Sequence, residues 1–161
     1  DIAEYLPKAF AEGDELEYRE RMLNASMVAG LAFTNVSLGI VHSIAHSLGS
    51  LFGIAHGLAN AVVLPHVVRF NSGDPVARER YGELAGALGM DDLASGLEAL
   101  CARIEVPASL RELVPDEDGF VARLPELVAM AQADGCTKTN PIIPTAEQFG
   151  ELYLAAYRGA E

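Results

Sequence analysis

Apolar positions along the chain recur at helical spacing, and no run of alternating β-branched residues competes with them. The spacing predicts a helix from about Glu15 to Ala32, acidic at first and rich in small residues from Ala25 to Gly30. A second helix is expected from near Ser37 to about Leu51, and a third from His56 to about Arg69. Asp74-Pro75 reads as an N-cap followed by proline at the first helical position, with Gly89 closing that helix. A further helix starts at Asp91 or Asp92 and ends before Pro107, and Ser109 to Glu112 has capping-box spacing. Glu117 to Ala133 forms another, with Pro125 as a kink or break. Thr145 to Gln148 is a second capping box, opening a last helix that stops near Gly159. Without an internal repeat or a low-complexity linker, the pattern describes one all-α helical bundle.

One interval departs from the usual amphipathic pattern. Between Arg21 and Arg69 no side chain is charged, yet the interval carries His42, His46, His56 and His66. Helices without a charged face belong inside a protein core or a membrane. Met27 to Ala45 approaches spanning length, but Asn35, Ser37, His42 and Ser43 interrupt it and Gly39 weakens it as an isolated helix. A buried helix pair is the better fit. His66 reads as a hydrogen-bonded core histidine. His42 and His46 lie four apart and share a helix face, and a glycine-containing turn can return His56 to their side. Neutral imidazole suits zinc and iron, so the three histidines form a candidate metal set that spacing alone does not resolve into ligands and neighbours.

Composition narrows the partners. Hydrophobic residues make up 50% of the 161 residues, which is globular. A net charge of −12 argues against nucleic acid and against anionic membrane surfaces, while leaving a locally bound nucleotide cofactor open. Cys101 and Cys136 form no CxxC motif and no disulfide framework, which points to a reducing cytoplasm. The chain opens on Asp1, inside what already reads as a helical domain, so its natural N-terminus is expected upstream.

The run from Gly39 through His42, His46, Gly49, His56, Gly57 and Ala59 resembles the histidine-and-glycine signature of the iron-containing (group III) alcohol dehydrogenases. Ala29-Gly30-Leu31-Ala32-Phe33-Thr34-Asn35 before it, and Asn60 to Val67 with Phe70-Asn71 after it, are similar to the family's flanking stretches. Cys136-Thr137, Asn140-Pro141 and a last helix with Leu152-Tyr153 and Ala156-Tyr157 resemble its C-terminus. The resemblance implies the helical C-terminal domain of the dehydroquinate synthase-like fold, over residues 1–161. It implies a divalent metal (Fe2+, or Zn2+ in its place) held by His42 and His56, which have the family's separation of fourteen residues. It places His46 in the substrate pocket as a polar or proton-relay group. Phe33 and Leu38 fall where the family lines the substrate and nicotinamide pocket, with simple core packing as the alternative.

The family's other two metal ligands come from an Asp-x-x-x-His pair, and no such pair precedes His42 in this chain. The expected reading is therefore a fragment, inactive alone, whose N-terminal half carries NAD or NADP. The implied reaction interconverts a primary alcohol or small diol and its aldehyde. Alternatives are a relative acting on glycerol or maleylacetate, and a free-standing helical metal-binding or interaction module. An apolar wall left by a missing domain would favour a homo-oligomer.

Overall fold

The computed structural model describes residues 1–159. Among them every element is helical: α1 (Ile2–Ala11), α2 (Leu16–Val36), α3 (Ile40–Phe52), α4 (His56–Asn71), α5 (Pro75–Leu88), α6 (Leu93–Arg103), α7 (Glu117–Ala122), α8 (Leu124–Ala133) and α9 (Ala146–Arg158). Two 3-10 turns, Leu110–Glu112 and Gly135–Thr139, join the later helices. The helix starts follow the capping chemistry of the sequence. Asp74 accepts the Ala77 amide at 2.8 Å, Asp92 accepts the Ser95 amide at 2.8 Å, and Thr145 and Gln148 cap each other reciprocally. Pro125 acts as a break, dividing the expected helix into α7 and α8 at Arg123.

The core is built around α3 and α4, with α8 and α9 packed on them. Ile40, Ile44 and Leu48 project from one stripe of α3 and are completely buried, each contributing roughly 1.5–3 kcal/mol by leaving water. From α9, Phe149, Leu152, Tyr153, Ala156 and Tyr157 meet them at a helical period. The Tyr153 hydroxyl shares a 2.6 Å hydrogen bond with Ser47 Oγ and donates to the Leu127 carbonyl at 3.1 Å, tying α9 to α3 and α8. A smaller cluster of Val68, Ala85, Leu93 and Ala94 joins α4, α5 and α6.

Pro65 sits inside α4 and cannot donate to the Ala61 carbonyl one turn back. The Cys101 thiol lies 3.9 Å from that carbonyl, so this cysteine packs against α4 as a weak donor.

Two expectations are corrected. Ser37 does not start a helix: it terminates α2 at φ 66°, its amide bonding back to Phe33, and α3 begins three residues later at Ile40. Nor is the whole uncharged interval buried. α3 and α4 are core helices, but α2 has no buried residue, and Met27, Leu31 and Val36 are 60–73% exposed. No single helix among the described residues is long and apolar enough to cross a membrane. α2 and α3 reach that length together but are bent by 106°.

Candidate functional site

The site is positioned by the turn between α3 and α4. Gly53 ends α3 in the left-handed region at φ +69°, a conformation only glycine adopts without strain, and the chain reverses within three residues. A side chain at Gly49 would press on the Ile54 carbonyl at 3.3 Å, so the absence of a Cβ there lets the returning chain approach. His56, the first residue of α4, thereby comes back to the face of α3 that carries His42 and His46.

The other end of α3 is held by an amide pair. Asn140 Oδ1 accepts the Ile40 amide and the Asn71 side chain, both at 3.2 Å. Its Nδ2 donates to Asn71 Oδ1 at 2.7 Å. Both asparagines are buried, so the start of α3 and the end of α4 are locked to one another.

The three rings form a cluster. Ring centroids are 5.1 Å apart for His42–His56 and His46–His56, and 6.2 Å for His42–His46. His42 Nδ1 and His56 Nε2 approach to 3.2 Å. Two nitrogens on one tetrahedral metal lie about 3.3 Å apart when each bond is about 2.0–2.1 Å. The pair is therefore already spaced as two ligands of one cation. Burial first, and the neighbouring His56 and His46 rings second, push the His42 pKa below the ordinary imidazole value and favour the neutral, ligating form. Asn60 Nδ2 lies 3.0 Å from His56 Nε2, while its buried Oδ1 has no partner.

Asp134, which the sequence reading did not single out, completes the arrangement. It caps the Gly135–Thr139 turn, with Oδ1 accepting the Cys136 amide at 2.8 Å and the Ser43 hydroxyl at 3.4 Å. Its Oδ2 stands 2.7 Å from His46 Nδ1. Burial works to raise the Asp134 pKa, but the Cys136 amide and the His46 ring outweigh it and hold the carboxyl below its ordinary value. The local signal was an Asp-Gly step beside Cys136-Thr137, a capping pattern whose partner lies 88 residues away.

A depressed folded-state pKa gives stability that is present above the unfolded carboxylate value of about 3.9. That stability is lost as pH falls through the lower folded value. Asp134→Asn should therefore flatten the acid limb of the stability curve, measured by urea unfolding in steps below about pH 5. An unchanged limb would show that the carboxylate contributes nothing there.

The remaining candidates lie elsewhere. Phe33 is in the last turn of α2 and 45% exposed. Leu38 is half-buried in the α2–α3 connection, where its carbonyl accepts the Thr139 hydroxyl. It lines a cleft with Gly39, Asn71, Tyr81 and Asn140, to which neither Phe33 nor the three histidines contribute. His66 is half-buried in α4, beside Glu98 and Cys101 in a separate cleft, and burial lowers its pKa.

An all-helical bundle that gathers three imidazoles where two core helices meet presents a candidate metal site on a helical domain. The profile of the Fe-containing alcohol dehydrogenase family, C-terminal, matches residues 1–157, and the chain belongs to that family. It is 41% identical over 162 residues to a 1-propanol dehydrogenase from Salmonella typhimurium, covering 94% of this chain and 44% of that protein. It is 37% identical over 185 residues to a bifunctional aldehyde-alcohol dehydrogenase from Escherichia coli (strain K12), covering 99% and 21%. An iron-containing alcohol dehydrogenase from Thermococcus thioreducens superposes with a TM-score of 0.91 at 39% identity, over 99% of this chain and 42% of that one. The chain thus spans less than half the length of these relatives.

Proposed function

We propose that residues 1–161 are the metal-binding C-terminal half of an NAD(P)-dependent alcohol dehydrogenase. The enzyme interconverts a small primary alcohol or diol and its aldehyde. The observation that carries this reading is the 3.2 Å approach of His42 Nδ1 and His56 Nε2, with His46 beside them, in a chain of this family. His42 and His56 would hold the divalent metal, Fe2+ or Zn2+. When bound, such a metal supplies Lewis-acid polarisation of the substrate oxygen.

The chain's own residues handle the proton. Asp134 accepts from His46 Nδ1, which fixes the tautomer and leaves Nε2 as the acceptor for a proton leaving the substrate hydroxyl. The same carboxylate then stabilises the imidazolium. His46 is half-exposed, so the proton can pass on to water. Phe33 and Leu38, set apart from the histidine cluster, would offer apolar surface toward the N-terminal half, which binds most of the dinucleotide. The apolar face of α2 supports this division, as a surface for that half or for a second copy. Both cysteines are free, consistent with a reducing cytoplasm.

The test is alcohol-dependent NAD(P)+ reduction by the full-length, metal-loaded protein beside its His46→Asn variant. General acid–base catalysis accounts for about 10²–10⁴-fold in rate, so the variant should lose that much in kcat while keeping its metal. A wild-type protein that holds metal and turns over no alcohol would sink the proposal.

A further inference from the structure

The turn that orients His46 carries a thiol as well. Cys136 sits two residues after Asp134 on the Gly135–Thr139 turn, and its amide is the one bound to Asp134 Oδ1. Candidate ligand atoms of His46, Asp134 and Cys136 all lie within 4.8 Å of one another. The carboxylate also faces the thiol. Burial, and then this contact with Asp134, raise the Cys136 pKa. One carboxylate thus accepts the His46 Nδ1–H and stands close to a thiol, on a half-exposed surface that solvent reaches.

We propose that His46, Asp134 and Cys136 form a second cation site, selective for soft divalent metals such as Zn2+ and Cd2+ and separate from the His42–His56 pair. Imidazole nitrogen, carboxylate oxygen and thiolate sulfur are zinc's three protein donor types, and sulfur discriminates against harder cations. Asp134 and Cys136 come from one tight turn, already anchored by the Cys136 amide and the Ser43 hydroxyl, so two of the three donors are preorganised. His46 is supplied by α3 on the opposite side.

On binding, the cation enters among the three donor atoms. The Cys136 thiol releases its proton to solvent and forms the metal–sulfur bond. The His46 proton moves from Nδ1 to Nε2 through water, freeing Nδ1 to ligate. One proton is released per cation, with no change in oxidation state. Because His46 is then held through Nδ1 and protonated at Nε2, an occupied site removes its acceptor. That consequence rests on the proton-relay reading above; the binding itself does not.

The experiment titrates the metal-free protein with Cd2+ and follows the ultraviolet thiolate-to-metal charge-transfer band, a signal that histidine and carboxylate ligands do not give. The band should saturate at one thiolate-bound cation per chain, persist in Cys101→Ser and vanish in Cys136→Ser. It should require at least about tenfold more Cd2+ in Asp134→Asn. Circular dichroism on each variant confirms the helical fold, and His46→Ala provides a second weakening substitution away from the turn. No band in the wild type, a band that survives Cys136→Ser, or unchanged affinity in both Asp134→Asn and His46→Ala would each overturn the proposal. Binding is read without turnover, so an inactive full-length enzyme would count against the dehydrogenase reading and leave this one standing.

Discussion

His42→Ala and His56→Ala should each strip the full-length protein of its metal and of alcohol oxidation together, while leaving the helical fold in place. The two nitrogens stand 3.2 Å apart in the protein, so neither has to move far to share a cation. Deleting one removes a direct ligand. Loss of an outer-shell partner already costs about 10–100-fold in metal affinity or activity, and a ligand lost outright should exceed that range. The fold should survive because neither ring belongs to the core: His56 is exposed, His42 is only half-buried, and the buried stripe of α3 is carried by Ile40, Ile44 and Leu48. His46→Ala separates the roles, since it should lower turnover while iron at the His42–His56 pair stays near the wild-type level. Metal content by plasma emission and kcat on the same samples decide the matter. Full metal occupancy in His42→Ala would remove that residue from the ligand set. Equal metal loss in all three variants would mean that the trio binds as a unit and that His46 has no separate part.

The histidine site was legible because its three members lie on one short stretch of chain. A four-residue step fixes His42 and His46 on one face, and a glycine-bearing turn restricts where His56 can go. The caps at Asp74, Asp92 and Thr145 were legible for the same reason, being interactions over three residues. Asp134 was not, because its function depends on a partner 88 residues away. The Asn71–Asn140 amide pair was hidden likewise: both residues were visible as parts of a resemblance, but nothing local indicates that they bond to each other. The error over α2 has a different origin. Absence of charge reports that a surface avoids water in the protein's working state, without reporting what covers it. In this chain α3 and α4 cover each other, while α2 packs chiefly against α1 and turns Met27, Leu31 and Val36 outward.

The last helix offers the sharpest test of how the site is supported. Tyr157→Ala should destabilise the domain by about 3–5 kcal/mol, the usual range for truncating a large buried aromatic side chain. Tyr157 is completely buried, its ring stacks on Phe120 with centroids 4.3 Å apart, and its hydroxyl donates to the Val114 carbonyl at 2.9 Å. Truncation leaves a cavity against Phe120 and strands that carbonyl. Typical domains are stable by only about 5–15 kcal/mol, so the loss is a large fraction of the total and should lower Tm by on the order of 10 °C. Tyr157→Phe isolates the hydroxyl and should cost about 1 kcal/mol, because one hydrogen bond is lost while the packing remains. If packing dominates, the alanine variant must be several-fold worse than the phenylalanine variant in urea unfolding. Equal losses would instead assign the stabilisation to the Val114 bond. The consequence reaches the histidines through α3: the same face of α9 presents Tyr153 to Ser47, one residue beyond His46. Loosening α9 should therefore weaken metal binding without touching a ligand, and metal affinity in Tyr157→Ala, measured well below its Tm, should fall along with stability. Unchanged affinity would show that the α3–α4 turn and the Asn71–Asn140 pair hold the site unaided.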